Sequence, residues 1–144
     1  SELNAAFLLA QLESSSQIIS DRKKLWNRYH TNLSKLRDVY NFKTLIPDDQ
    51  CNHNGHIFLI VLDSKLKRDN LILYLRENNI QSTFHYIPLH SAPAGLKHSE
   101  FIGEDKYTTS ISERLLRLPL HNELQYDDVD YICSKVVDFF KEQL

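Results

Sequence analysis

From Ser1 to Arg37 the chain contains neither proline nor glycine, and Leu3, Ala6, Phe7 and Ala10, then Ile18, Leu25, Tyr29, Leu33 and Leu36, recur at helical spacing. Such a run predicts one long helix. Unbroken, about 37 residues at 1.5 Å each would reach roughly 55 Å, more than the width of a compact domain of this size. Ser14, Ser15 and Ser16 are weak helix formers and mark where a bend or break is expected. Part of this element should project beyond the chain's own core. Its Leu3, Phe7, Leu8 and Leu12 are too many for one narrow stripe, so they are expected to meet another domain or a second subunit.

The 144 residues are 42% hydrophobic and contain no low-complexity tract, which fits a single domain over 1–144 with one core. Pro47, Asp48, Asp49, Asn52 and Asn54 supply turn chemistry between Asn41 and Gly55. His56 to Leu62 is a nearly continuous apolar run, predicted as a strand with both faces covered. Arg68 to Asn79 reads as a short amphipathic helix stopped by Asn78-Asn79, and Ile80 to Tyr86 as a second strand. His90 to Lys106 is the longest irregular segment. Tyr107 to Leu116 reads as a helix with Ile111, Leu115 and Leu116 inward, and Arg117 to Leu120 as an edge strand that tolerates Pro119. The clearest helix is Asp127 to Leu144, with a stripe of Val129, Ile132, Cys133, Val136, Phe140 and Leu144. The fold class is therefore α+β: a long N-terminal helix and a small sheet of about three strands, covered by helices.

Charge and composition exclude several functions. Lys and Arg total 17 against 19 Asp and Glu, a net charge of -2, which lacks the basic excess of nucleic-acid binders. No stretch approaches the roughly 20 apolar residues that cross a bilayer, and no signal pattern opens the chain, so a cytoplasmic protein is expected. Cys51 and Cys133 are too few for a disulfide framework. Methionine is absent and helical periodicity is already running at Leu3, so the chain reads as an excerpt of a longer one. None of the three glycines sits in a strand-to-helix phosphate cradle.

The segment richest in chemistry is Phe84-His85-Tyr86-Ile87-Pro88-Leu89-His90, where two imidazoles and a phenol stand at a strand end before a long loop. Imidazole donates or accepts a proton near neutrality, and tyrosine carries a hydroxyl on an apolar body, so both suit a polar substrate. The same groups would equally serve as hydrogen-bonded structural residues. His53 and His56 approach a metal-ligand spacing, but no carboxylate or thiolate supports it, and no metal site is expected. Asp48-Asp49, Glu104-Asp105 and Asp127-Asp128 are sequence neighbours whose side chains diverge, which does not make a glycosidase pair.

Ser1 to Ala6 with Leu9 to Glu13, Asn52-His-Asn-Gly-His56 before a strand, Arg68-Asp69 opening a helix, His85 to Gly95, and Ser112 to Leu120 occur in one order over essentially the whole chain. Together they resemble the C-terminal small domain of the DegT-type (DegT/DnrJ/StrS) sugar aminotransferases, fold-type-I enzymes dependent on pyridoxal phosphate. The resemblance implies transfer of an amino group from glutamate to C4 of a dTDP-linked 4-keto-6-deoxy sugar for cell-surface polysaccharide biosynthesis, by a homodimer. It also implies that the lysine and aspartate engaging the cofactor lie upstream, so no catalytic or cofactor-binding residue is assigned among these 144, and a fragment on its own should be inactive. What the resemblance leaves here is a substrate wall: His85 and Tyr86 facing the sugar or the cofactor edge, His90 behind them, and His56 nearby. Asn4 stands where many relatives carry glutamine, and Gln125 where a capping serine or threonine is common, a change worth about 1 kcal/mol. The alternative, on residues alone, is a free-standing ligand-binding or interaction domain built on the His85 to Gly95 loop.

Overall fold

The computed structural model describes residues 1–48 and 50–142. Asp49, read as half of an acidic loop pair, and Leu144, read as the end of the last stripe, lie outside the described residues. The N-terminal run forms two helices, α1 (Glu2–Glu13) and α2 (Ser15–Ser34), with the break at Ser14. The serine cluster thus interrupts the helix where its weak propensity foretells. The short α3 (Arg37–Tyr40) ends at Asn41 in the left-handed conformation, one of the few non-glycine residues that adopts it at small cost.

Four strands follow among the described residues: β1 (Lys43–Thr44), β2 (Phe58–Val61), β3 (Thr83–Phe84) and β4 (Leu115–Leu118). They form one antiparallel sheet in the order β1-β2-β4-β3. Between them lie α4 (Lys65–Glu77), α5 (Pro93–His98) and α6 (Thr108–Arg114), and α7 (Tyr126–Lys141) closes the described chain. Ser64 caps α4 by accepting from the Lys67 amide at 3.2 Å, and Asn79 takes the left-handed conformation after its end. At α7 the Asp128 carboxylate accepts from the Gln125 backbone N–H at 2.8 Å, so an acidic side chain inside the first turn supplies the cap that Gln125 was expected to weaken.

Four expectations are corrected. The sheet expected at about three strands has four among the described residues, the added one being β1, a two-residue strand inside a segment dominated by turn residues. Leu115 to Leu118 is an inner strand, not an edge: Pro119 lies just beyond its end and costs the ladder nothing. Leu115 and Leu116 belong to this strand, and α6 ends at Arg114. β2 alternates buried and half-buried positions, so only one of its faces is fully covered.

That covered face is where the core lies. Phe58 and Ile60 of β2 and Leu116 and Leu118 of β4 point into it, with Leu25, Tyr29 and Leu33 of α2, Leu71 and Leu75 of α4, and Val129, Ile132, Val136, Phe139 and Phe140 of α7. Tyr29 and Leu33 are wholly inaccessible. Each such leucine or tyrosine contributes about 1.5–3 kcal/mol of burial, and the Tyr29 hydroxyl finds its partner in the Pro119 carbonyl at 2.8 Å. Desolvation pushes the Tyr29 phenol well above its ordinary value and the Cys133 thiol up to about 12, so both stay protonated as core groups.

Candidate functional site

The last residues of the segment between α4 and α5 form a rim beside the sheet. β3 pairs Thr83 with Arg117 and Phe84 with Leu116, which brings His85 next to the start of β4. Pro88 then turns the chain, its carbonyl accepting from Ser91 at 3.1 Å and from Ala92 at 2.9 Å. α5 begins at Pro93, inside the segment read as irregular. Gly95 explains how α5 folds back so closely. A Cβ there would stand 1.7 Å from the Leu89 carbonyl oxygen, a distance no side chain can adopt.

Of the four residues assigned to the substrate wall, His85 is half-buried, Tyr86 is 66% exposed and His56 is exposed. The His85 and Tyr86 rings stack with centroids 3.7 Å apart, and the peptide between them is cis. Together with Leu89, Tyr107, Ile111 and Leu115 they line an open, mainly apolar groove of about 650 Å³. No lysine lines it. His90 stands behind the rim: its Nε2 is 3.1 Å from an Asp105 carboxylate oxygen and 3.2 Å from the Thr109 hydroxyl. Asp105 also accepts from the Thr109 hydroxyl and amide at the start of α6, and these bonds, with smaller help from His90, hold its carboxyl below the usual carboxylate range. His90 therefore ties the rim to α6.

His56 is placed from the opposite direction. Arg22 on α2 donates to the backbone carbonyls of Gly55 (3.2 Å), His56 and Leu120 (3.1 Å), so one guanidinium ties together the entry of β2 and the exit of β4. Gly55 has φ +62, and a Cβ there would lie 3.0 Å from the backbone of Arg22 and Lys23. Only glycine allows that approach. His53 does not join His56. Its ring packs on Trp26 with centroids 4.6 Å apart, and its Nδ1 accepts from the Gly55 amide.

Two arginines emerge that the sequence did not single out as site residues. Arg68, 5% exposed, lies beneath the rim with its guanidinium 5.4 Å from the Phe84 ring and its Nε 2.7 Å from Asp69. Arg117 of β4 donates from Nη1 to His85 Nδ1 at 2.8 Å. Burial first, then the Arg117 charge and His56, hold the His85 imidazole below its ordinary pKa. The signal for Arg117 was its position in the sheet, one residue after a core leucine, which could be read only with the strand boundaries correct.

Around the rim the apolar side chains are unusually bare: Leu89 is 85% exposed, Ile102 88% and Tyr107 75%. On α1 the same holds for Leu3, Phe7, Leu8, Leu9 and Leu12, and α1 has no buried residue. Among the described residues no helix is long and apolar enough to cross a membrane.

A family model described as the DegT/DnrJ/EryC1/StrS aminotransferase family matches residues 1–137. The chain is 31% identical over 138 residues to a dTDP-4-amino-4,6-dideoxy-D-glucose transaminase of Shigella dysenteriae, covering 94% of this chain and 37% of that protein. Among solved structures, a DegT/DnrJ/EryC1/StrS aminotransferase from Brucella abortus superposes with a TM-score of 0.80 at 26% identity, over 94% of this chain and 35% of the other. NtdA from Bacillus subtilis, solved with the cofactor PMP bound, gives 0.72 at 21% identity, over 88% and 29%, and bears on the fold alone. The chain thus spans about a third of the length of the proteins it matches.

Proposed function

Because the chain belongs to the DegT/DnrJ/EryC1/StrS aminotransferase family, we propose that it is the small domain of a pyridoxal-phosphate-dependent nucleotide-sugar aminotransferase and supplies one wall of the substrate pocket. The reaction assigned is transfer of an amino group from glutamate to C4 of a dTDP-4-keto-6-deoxy sugar, for O-antigen or enterobacterial common antigen biosynthesis, in a cytoplasmic homodimer. Within the family, we read the stretch Pro88 to Gly95 with Ser112 to Leu120 as resembling the dTDP-4-amino-4,6-dideoxygalactose transaminase. The dTDP-sugar transaminase of Shigella dysenteriae at 31% identity supports that substrate class.

One observation carries the reading: the polar side chains of the rim sit on an open apolar groove that no element among the described residues covers. A pocket buries most of its ligand's surface, and a groove with one wall does not. In this reading the missing wall is the cofactor-holding part of a longer polypeptide, packed against the rim and against the bare leucines of α1.

The residues present fit the edge of a cofactor site and not its anchor. Pyridoxal phosphate supplies the electron sink for amino transfer when bound, and its covalent attachment requires a lysine. Among the described residues the groove has none, and in this reading none of the ten lysines of the chain takes that role. His85 and Tyr86 then bind and orient the sugar or the cofactor edge, His56 flanks them, and His90 holds the loop in place. Pyridoxal phosphate added to this chain alone should leave the cofactor's absorption spectrum unchanged. A stoichiometric shift abolished by replacing one particular lysine would show that the anchor had been misplaced.

A further inference from the structure

We propose that Arg117 is a positioning residue that holds His85 as the Nε2–H tautomer, so that the imidazole offers the pocket a hydrogen-bond donor and not a base. The inference rests on the reading of His85 as substrate-facing and adds a residue and a chemical role to it. A guanidinium has five N–H groups, no acceptor, and stays charged at every relevant pH. The contact of 2.8 Å between Arg117 Nη1 and His85 Nδ1 therefore has one consistent direction, with the imidazole lone pair accepting. A neutral ring that accepts at Nδ1 carries its proton at Nε2.

The setting keeps the ring in that form. Arg117 projects from the centre of the sheet, in register with Leu59 on one side and Thr83 on the other, away from the face that buries Leu116 and Leu118. Among the described residues it makes no ion pair, and its Nε is buried without a hydrogen-bond partner. Its charge is thus available to repel a second proton on His85. The other groups facing His85 are the stacked ring of Tyr86 and, on the β2 side, His56, which adds repulsion of the same sign. Among the described residues no carboxylate acts on His85 to restore the charged form.

The consequence concerns the substrate. On a ring that lines the groove, an Nε2–H satisfies an oxygen that accepts a hydrogen bond, such as a carbonyl, a phosphate or the lone pair of a sugar hydroxyl. It has no lone pair with which to remove a proton. A site that donates a hydrogen bond discriminates against analogues lacking the acceptor, because its own N–H is then left unpaired. His85 is accordingly assigned to recognition of an oxygen acceptor, and proton removal from the substrate falls to a group outside this chain.

The test is long-range ¹⁵N–¹H NMR of the histidine-labelled chain between about pH 5 and 8, where imidazole titrates, with His85→Gln to assign the signals. His85 should show a pyrrole-type Nε2, a pyridine-type Nδ1 and a titration midpoint below that of free histidine. In Arg117→Met the two nitrogens should move toward an averaged tautomer mixture and the midpoint should rise, while Arg117→Lys, which keeps the charge, should hold it low. A proton on Nδ1 in the wild-type chain, or an unchanged tautomer ratio in Arg117→Met, would overturn the proposal. The unshifted signals of His53 against Trp26 report that the variant is folded. Should Arg117→Met not fold, the wild-type tautomer and the lysine variant still decide. Unchanged turnover of His85 variants in a full-length enzyme would remove the substrate-facing reading and leave the tautomer result standing.

Discussion

The two sides of this molecule use similar residues for opposite ends. On the helix-packed side, Leu33, Val129 and Val136 are wholly inaccessible, and the Tyr29 hydroxyl buried with them is paired with the Pro119 carbonyl. On the rim side, Leu89, Ile102 and Tyr107 are equally apolar and almost bare. α7 and α1 repeat the contrast as helices. The first carries a stripe at 3.6-residue spacing and buries it, while the second spreads leucine and phenylalanine around its circumference and buries none. Periodicity tells a chain which face to turn inward. Apolar content without periodicity is surface kept for something outside the chain.

The contrast can be broken by substitution. Leu33→Ala, in the wholly inaccessible interior, should cost about 2–5 kcal/mol in urea unfolding, the range for a buried leucine. Gly95→Ala should come next. Its Cβ would meet the Leu89 carbonyl, and an overpacked contact of that kind costs about 1–3 kcal/mol. The rim amides from His85 to Leu96 should move in NMR spectra while those of α7 stay. Leu89→Ala, of similar chemistry to the first change, should alter stability by less than about 0.5 kcal/mol. Equal losses at Leu33 and Leu89 would mean that the rim is part of the chain's own core.

How far the sequence revealed this depends on the kind of signal. The break at Ser14, the stop at Asn79 and the stripe on α7 follow from local propensity and spacing, and were legible. The rim was legible because His85, Tyr86 and His90 crowd a strand end that precedes a loop. β1 was not, since two residues carry no period. β4 was misjudged because Pro119 was counted inside the strand, and that error hid Arg117, whose meaning depends on which face of an inner strand it occupies. Reading β2 as covered on both faces came from its composition. Leu59 and Val61 are as apolar as a covered strand requires, yet their face is only half-buried here.

The most direct measurement follows the two half-reactions separately in a full-length enzyme containing this domain, by the absorbance change of its cofactor, with and without Tyr86→Ala and His85→Gln. If the rim is the sugar-facing wall, both variants should slow the half-reaction with the nucleotide keto-sugar at least tenfold, a loss of about 1.4 kcal/mol of transition-state binding, and should leave the glutamate half-reaction nearly untouched. Equal rates for wild type and both variants in the sugar half-reaction would contradict it.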